Sequence, residues 1–348
     1  MSYFDEESEK IQKRLISRIR SEYTKAWADI KPVVDAYFAS FKVRSEWLID
    51  QLDEGKVPLP LGMSAETYFR KWLYNQVGRG ERWNALQEEI RRRIVYADVH
   101  AAAYMNESSG AMFALSHNWT AYTIDKAATE FGLTDGSKAD VAFNIVDENT
   151  VKRLVSERVD FLPQKVADEG RIETWCNRKT QSELLAAIMS GDSVDKLANR
   201  FQNVTAMSER SALLNARTAI TNAQNAGRHQ CAEEAEEMGL TVLKEWRSTL
   251  DDKTRDSHQQ LDGERVPIDE PFSNGLMYPG DATGAPAEVY NCRCTYITIV
   301  EGLNDGRASR RARDADGGGI ILENVTYTGR DDSDSYVDWL EGKAGNDG

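Results

Sequence analysis

GLTVLKEWRSTL (residues 239–250) is where the chain changes character. Before it, apolar residues recur every three or four positions, the period of a helix; from Val242 they alternate as in a strand. Gly239 follows a long alanine- and charge-rich run over residues 208–238 and sits where a left-handed helix C-cap belongs. The stretch predicts an α+β chain. Its N-terminal part is predominantly α-helical, a small loop-rich β module follows, and an extended polar tail ends it.

Upstream, Ile11, Leu15, Ile19, Tyr23, Trp27 and Ile30 lead one apolar stripe over residues 9–52. Pro32 lacks the N–H that the helical ladder needs, so a kink or split is expected there. Residues 53–60 form a loop, and Ser64 is placed to N-cap a second helix reaching about residue 76. After the interruption Gly78-Arg79-Gly80, Trp83 starts a helix expected to end near residue 106. Ser108-Ser109-Gly110 should break it before another helical stretch to about residue 131. Turn residues at 132–138 mark a soft boundary. Short helices are expected at 150–159, 180–189 and 194–201, with a turn at Ser190-Gly191-Asp192-Ser193.

Downstream, polar and Gly/Pro-rich loops run to Tyr290 before a closing strand at residues 295–300. Beyond Glu301 the chain reads as a linker, then a strand-like stretch at 320–327 and an amphipathic turn at 336–340. This tail cannot make a core and is expected to dock, in cis or on a partner. The expected organisation is a helical region 1–132, a domain 138–302 and a flexible tail 303–348 with short docking elements. That domain is read as helical to about 239 and as a β/loop module over 241–302.

A chain of 348 residues with 41% hydrophobic and 29% charged residues is expected to be soluble and globular. Its net charge of −14 argues against sequence-independent nucleic-acid binding, which needs a cationic surface. The densest basic run, Arg91-Arg92-Arg93, reads as a solvated helix face. The acidic N-terminus lacks the order of a signal peptide, and no apolar run is long enough to span a bilayer. With four cysteines in all, the chain is no disulfide scaffold, and synthesis in a reducing cytoplasm is expected.

No phosphate loop, nucleophile elbow or paired-histidine zinc helix is present. His100 and His117 read as ordinary core or surface histidines. His229 and Cys231 lie two apart on a helix, about 200° around it, so they cannot grip one ion. Cys292 and Cys294 flank a strand start and point to one side of an extended chain. With His258 they make a donor set suited to zinc, and Asp252 is the best-placed carboxylate for a fourth ligand. The other reading is that both cysteines are small buried residues and His258 bonds a loop carbonyl. A disulfide between them would need a strained ring. Arg255 is read as a tie between loop groups, and Asp281 as a turn cap or a partner of Arg255 or Arg293.

ARTAITNAQNAGR (residues 216–228), KEWRSTLDDKTRDSHQQLDGERVPIDEPFSNGLMYPGD (244–281) and EVYNCRCT (288–295) together resemble the phage head morphogenesis domain, the Mu F-like family of minor head proteins. The likeness spans about residues 181–300, with fainter similarity to minor capsid proteins before and after. It implies a low-copy component of the virion, inside the head near the portal vertex and made in the bacterial host cytoplasm. It would act in head morphogenesis and in DNA packaging or ejection, with the portal and inner capsid or scaffold proteins as partners. Within these blocks Arg217, Trp246, Asp252, Arg255, Gly263, Pro279, Gly280, Asp281, Asn291 and Arg293 carry structural rather than catalytic expectations. Family members often hold further metal-type residues where this chain has Arg255 and Val289. His258, Cys292 and Cys294 remain, so any zinc would be structural, no other cofactor is expected, and the chain reads as no enzyme. The alternative is a metal-dependent nuclease or hydrolase built on that cluster with Asp252; thiolates suit the magnesium of phosphodiester cleavage poorly. An injected toxin is set aside, because the residues after Val300 are too few and too polar for a catalytic domain.

Overall fold

The chain's long apolar stripes become long helices. The structure is a computed structural model and describes residues 3–78, 80–130, 145–146, 169–190, 196, 199–301, 310–313, 320–323 and 333–344. α1 spans Tyr3–Asp53 with Pro32 inside it and unbroken. The expected split does not occur. Pro32 removes a single ladder bond, and Pro32 and Ala28, whose carbonyl loses that donor, are both exposed to water. Ile30 and Val34, on either side, are fully buried and hold the helix together.

Ser64 caps α2 (Ala65–Val77), accepting from the Thr67 amide at 3.2 Å. α3 covers Glu81–Glu130 without interruption, so Ser108-Ser109-Gly110 is no break. All three residues are buried, and their small size serves packing rather than a turn. α4 spans Glu169–Met189 and α5 Gln202–Glu237. Gly239 closes α5 at φ +92°, with its own amide bonded to Glu236 O and that of Leu240 to Ala235 O. This paired closure is the Schellman arrangement that the opening stretch predicts. The boundary at 132–138, the helix at 150–159, most of the 190–198 turn-and-helix stretch and the linker positions 302–309 and 314–319 lie outside the described residues.

Contacts divide the chain into two compact units. One comprises Ser17–Ala103 and Lys165–Leu213. Its core joins Val34, Phe38, Trp83, Ile94, Leu184 and Phe201. Three helices are also pinned by a polar contact: Ser208 Oγ donates to Asp98 Oδ1 at 2.8 Å, and the Tyr23 hydroxyl donates to the same oxygen. Burial raises the Asp98 carboxyl above its ordinary range. Arg91, Arg92 and Arg93 pair with Glu88, Glu89 and Asp29, which makes the basic run a neutralised helix face.

The other unit comprises Met1–Ile16, Tyr104–Gln164 and Leu214–Gly348. Here α3 and α5 approach so closely that a Cβ on Gly227 would lie 2.3 Å from Phe113 O. Only glycine fits. Against α5 lies an antiparallel three-stranded sheet ordered β2-β1-β3, with β1 Val242–Arg247, β2 Arg265–Pro267 and β3 Thr295–Val300. Trp246 pairs with Tyr296 and Lys244 with Thr298. β1 stops before Ser248, whose amide turns to Asp262 Oδ1 at 3.0 Å, so the strand is shorter than the alternation suggests. β2 and the short helices α6 (Asp256–Gln260) and α7 (Pro286–Val289) fall in segments that read as loop.

In the tail, β4 (Arg310–Arg313) pairs antiparallel with β5 (Ile320–Glu323), and α8 spans Ser333–Ala344. α8 docks in cis. Tyr336 is buried among the rings of Tyr3, Trp119 and Tyr122, and Trp339 Nε1 donates to Asp125 Oδ2 at 2.6 Å. Among the described residues no helix is long and apolar enough to cross a membrane.

Candidate metal centre

Three loops of the β module converge because each is tied at a polar point. The Arg255 guanidinium donates to the Tyr290 carbonyl, joining the start of α6 to the segment before Cys292. Asp281 caps its own turn: its buried carboxylate accepts from the Met277 and Thr283 amides at 3.1 and 2.9 Å. Arg293 is paired elsewhere, forking onto both oxygens of Asp251, one at 2.7 Å. That guanidinium holds the Asp251 carboxyl far below its ordinary range.

Gly263 (φ +87°) donates its amide to Trp246 O at 2.9 Å and closes the β1–β2 turn. Gly280 shares that conformation and lies against α5, where a Cβ would come within 3.3 Å of the Asn222 amide nitrogen. Asn291 is the one non-glycine at positive φ among the described residues, and its amide donates to Thr218 Oγ1 at 3.0 Å. Asn225 Nδ2 bonds the carbonyls of Pro279 and Cys294 at 2.7 and 3.2 Å. Arg217 is exposed on α5. The arginine of that block that reaches the sheet is Arg228, half-buried over the Tyr296 ring and donating to Thr295 Oγ1 at 2.7 Å.

These ties bring His258, Cys292 and Cys294 together, with their ligand atoms within 4.8 Å of one another. His258 Nδ1 stands 3.6 Å from Cys292 Sγ and 3.4 Å from Cys294 Sγ. Around a tetrahedral zinc, with bonds of about 2.3 Å to sulfur and about 2.0 Å to nitrogen, such S–N edges measure roughly 3.5 Å. The donor set and its spacing fit that ion. All three residues are buried, and a pocket of about 10 Å³ opens on them between Thr249, Arg255 and Asn291. It has room for one water or one small ion. Asp252 is exposed and stays outside this cluster. Val289, where family members would place a histidine, is packed into the apolar cluster around Trp246 and Phe272.

The two thiols titrate as a pair. Cys292 donates to Cys294, which pulls Cys294 below the ordinary thiol range. The same bond, with burial, pushes Cys292 up. Thiolate is the form in which a metal takes a cysteine sulfur. The carboxylate that meets His258 is Glu288: His258 Nε2 lies 2.9 Å from its Oε2, and Ser257 Oγ lies 3.1 Å from the same oxygen. The sequence reading missed Glu288 and Ser257, since nothing in a lone Glu thirty positions from a His marks such a pairing.

The other histidines are placed as structural groups. His117 is fully buried and has an acidic partner, Glu234 of α5, at 3.1 Å. His100 packs at a tilt against the Tyr96 ring. His229 packs on the Tyr278 ring, while Cys231 lies in a separate apolar cluster with Ala121 and Val300.

Residues 178–297 match the family described as Phage Mu protein F like protein. This segment is a Mu F-like domain. It holds the triad, Glu288, β1, β2 and the first half of β3. The chain is also 30% identical over 192 residues to Minor head protein GP7 of Bacillus phage SPP1, covering 54% of this chain and 61% of that protein. A second relative is NAD(+)–arginine ADP-ribosyltransferase EFV of Enterococcus faecalis, 30% identical over 167 residues, 47% of this chain and 32% of that protein. The chain thus spans less than two thirds of the length of either relative. No solved structure matches it significantly.

Proposed function

We propose that this chain is a minor head protein of a tailed phage that acts in head morphogenesis from inside the capsid, at the portal vertex. The observation that carries the reading is the Mu F-like domain in a chain similar to the SPP1 minor head protein over more than half its length. The portal and inner capsid or scaffold proteins are its partners, and packaging or ejection of DNA is the step it serves. Protein contacts suit a chain of net charge −14 better than a coat on DNA does.

The domain works as a docking block rather than a catalyst. Arg228 and Asn225 fix α5 to the sheet, and Arg255 and Arg293 fix the loops, so one face is presented in a set shape. His258, Cys292 and Cys294 would hold a zinc ion, which supplies a cross-link between α6 and the head of β3. The transferase activity in the name of the Enterococcus faecalis relative belongs to a protein of which about two thirds lies outside the match. A nuclease or hydrolase reading has a single histidine among its buried donors and nothing further in its favour.

Co-expression of the full chain with the portal protein of the phage that encodes it tests the docking claim. An affinity-tagged portal is expected to retain the chain through washing at moderate salt. A chain that elutes with the unbound fraction, while the portal forms its normal ring, would undo the reading.

A further inference from the structure

We infer that Glu288 is the positioning residue of the metal centre, fixing the tautomer and ring angle of His258 so that Nδ1 faces the two sulfurs. This rests on the metal reading of the triad. An imidazole has two nitrogens, and a metal takes only the one that carries no proton. In this site the division is spatial: Nδ1 lies 3.4 and 3.6 Å from the thiols, while Nε2 lies 2.9 Å from Glu288 Oε2. A carboxylate only accepts, so it draws the ring proton to Nε2 and leaves the Nδ1 lone pair for the ion.

Glu288 is itself held. Ser257 Oγ reaches both carboxylate oxygens, at 3.1 and 3.3 Å, from the residue next to His258. α7 begins at Pro286, whose fixed φ suits the first helical position, and ends where Val289 is buried, three residues before Cys292. The His258 ring also packs against Trp246, the two rings T-shaped with centroids 5.3 Å apart. The ring is therefore clamped by an indole on one side and oriented by a carboxylate at its far nitrogen. Removing such a partner costs metal sites about 10- to 100-fold in affinity.

The test uses the full chain, reduced, with ¹⁵N-labelled histidine. Zinc affinity is measured by competition with a chelating dye for wild type, Glu288→Gln and Glu288→Ala, and the His258 tautomer is read by long-range ¹H–¹⁵N spectra of the metal-free proteins. Wild type is expected to carry its proton on Nε2. Glu288→Ala should lose that preference and bind zinc about 10- to 100-fold more weakly, with Glu288→Gln, which keeps an acceptor oxygen, in between. Unchanged circular dichroism confirms that each variant folds. Wild-type zinc affinity in folded Glu288→Ala, or an unchanged tautomer there, overturns the role of Glu288. Absence of zinc from the wild type would instead sink the metal reading, while the tautomer still reports on Glu288.

Discussion

Trp246→Ala is expected to destabilise the β module by about 3–5 kcal/mol, the range for truncating a fully buried indole. Trp246 has no exposed surface, and its ring meets Phe272 edge-on at 5.0 Å and His258 at 5.3 Å. Leu261, Leu276, Val289, both site cysteines and Tyr296 complete the cluster around it. The module has few backbone ladders to fall back on, with a β2 strand of three residues. The indole N–H also bonds Ser248 Oγ at 3.1 Å, and that hydroxyl in turn donates to the His258 carbonyl, so the loss reaches the triad. Hydrogen exchange under native conditions measures the effect on the amides of β1 and β3. A change below about 1 kcal/mol, within the range of surface substitutions, would mean that the cluster is not the module's core.

Zinc produces the second large effect. A ligand that binds only the folded form stabilises by RT ln(1 + [L]/Kd), about 4 kcal/mol at a thousandfold excess over Kd. Metal-free, reduced protein titrated with zinc is expected to gain that stability in the same β-module amides. Cys294→Ser should abolish the gain, since an alcohol replaces one of the two sulfur donors. Elemental analysis gives an independent reading. Roughly a tenth of an equivalent of zinc or less after dialysis, with no shift in stability on titration, would remove the cross-link from the account.

The fold was legible where periodicity is long and local. The stripe from Ile11 to Phe41, the strand at 295–300 and the cap at Gly239 all read directly from spacing. Pro32 and Ser108-Ser109-Gly110 misled because breaker rules describe an isolated helix. In the folded chain, buried neighbours on both sides hold the ladder, and small residues are demanded by packing. β2, α6 and α7 were invisible because elements of three to five residues carry no period.

The site divided in the same way. His258, Cys292 and Cys294 were legible as rare donors near a strand start, and tertiary folding brings them together. Asp252 was favoured by position, yet a residue beside the turn can face water while Asp251 faces Arg293. Glu288 and Ser257 could not be read, since their role depends on two short helices meeting across the module. Arg228, rather than Arg217, reaches the sheet because the two lie about three turns apart along one side of α5, and the head of β3 meets the helix at the later turns, beside Asn225 and Arg228.

As a proposed component of the phage head, the chain belongs in the purified particle. Quantitative mass spectrometry of gradient-purified heads, from the phage that encodes it, tests this most directly. The account predicts its peptides at a few copies per head, present in DNA-filled particles and lost from heads assembled without portal. Purified heads that lack the chain altogether, or that carry it at the same level without portal, would contradict the account.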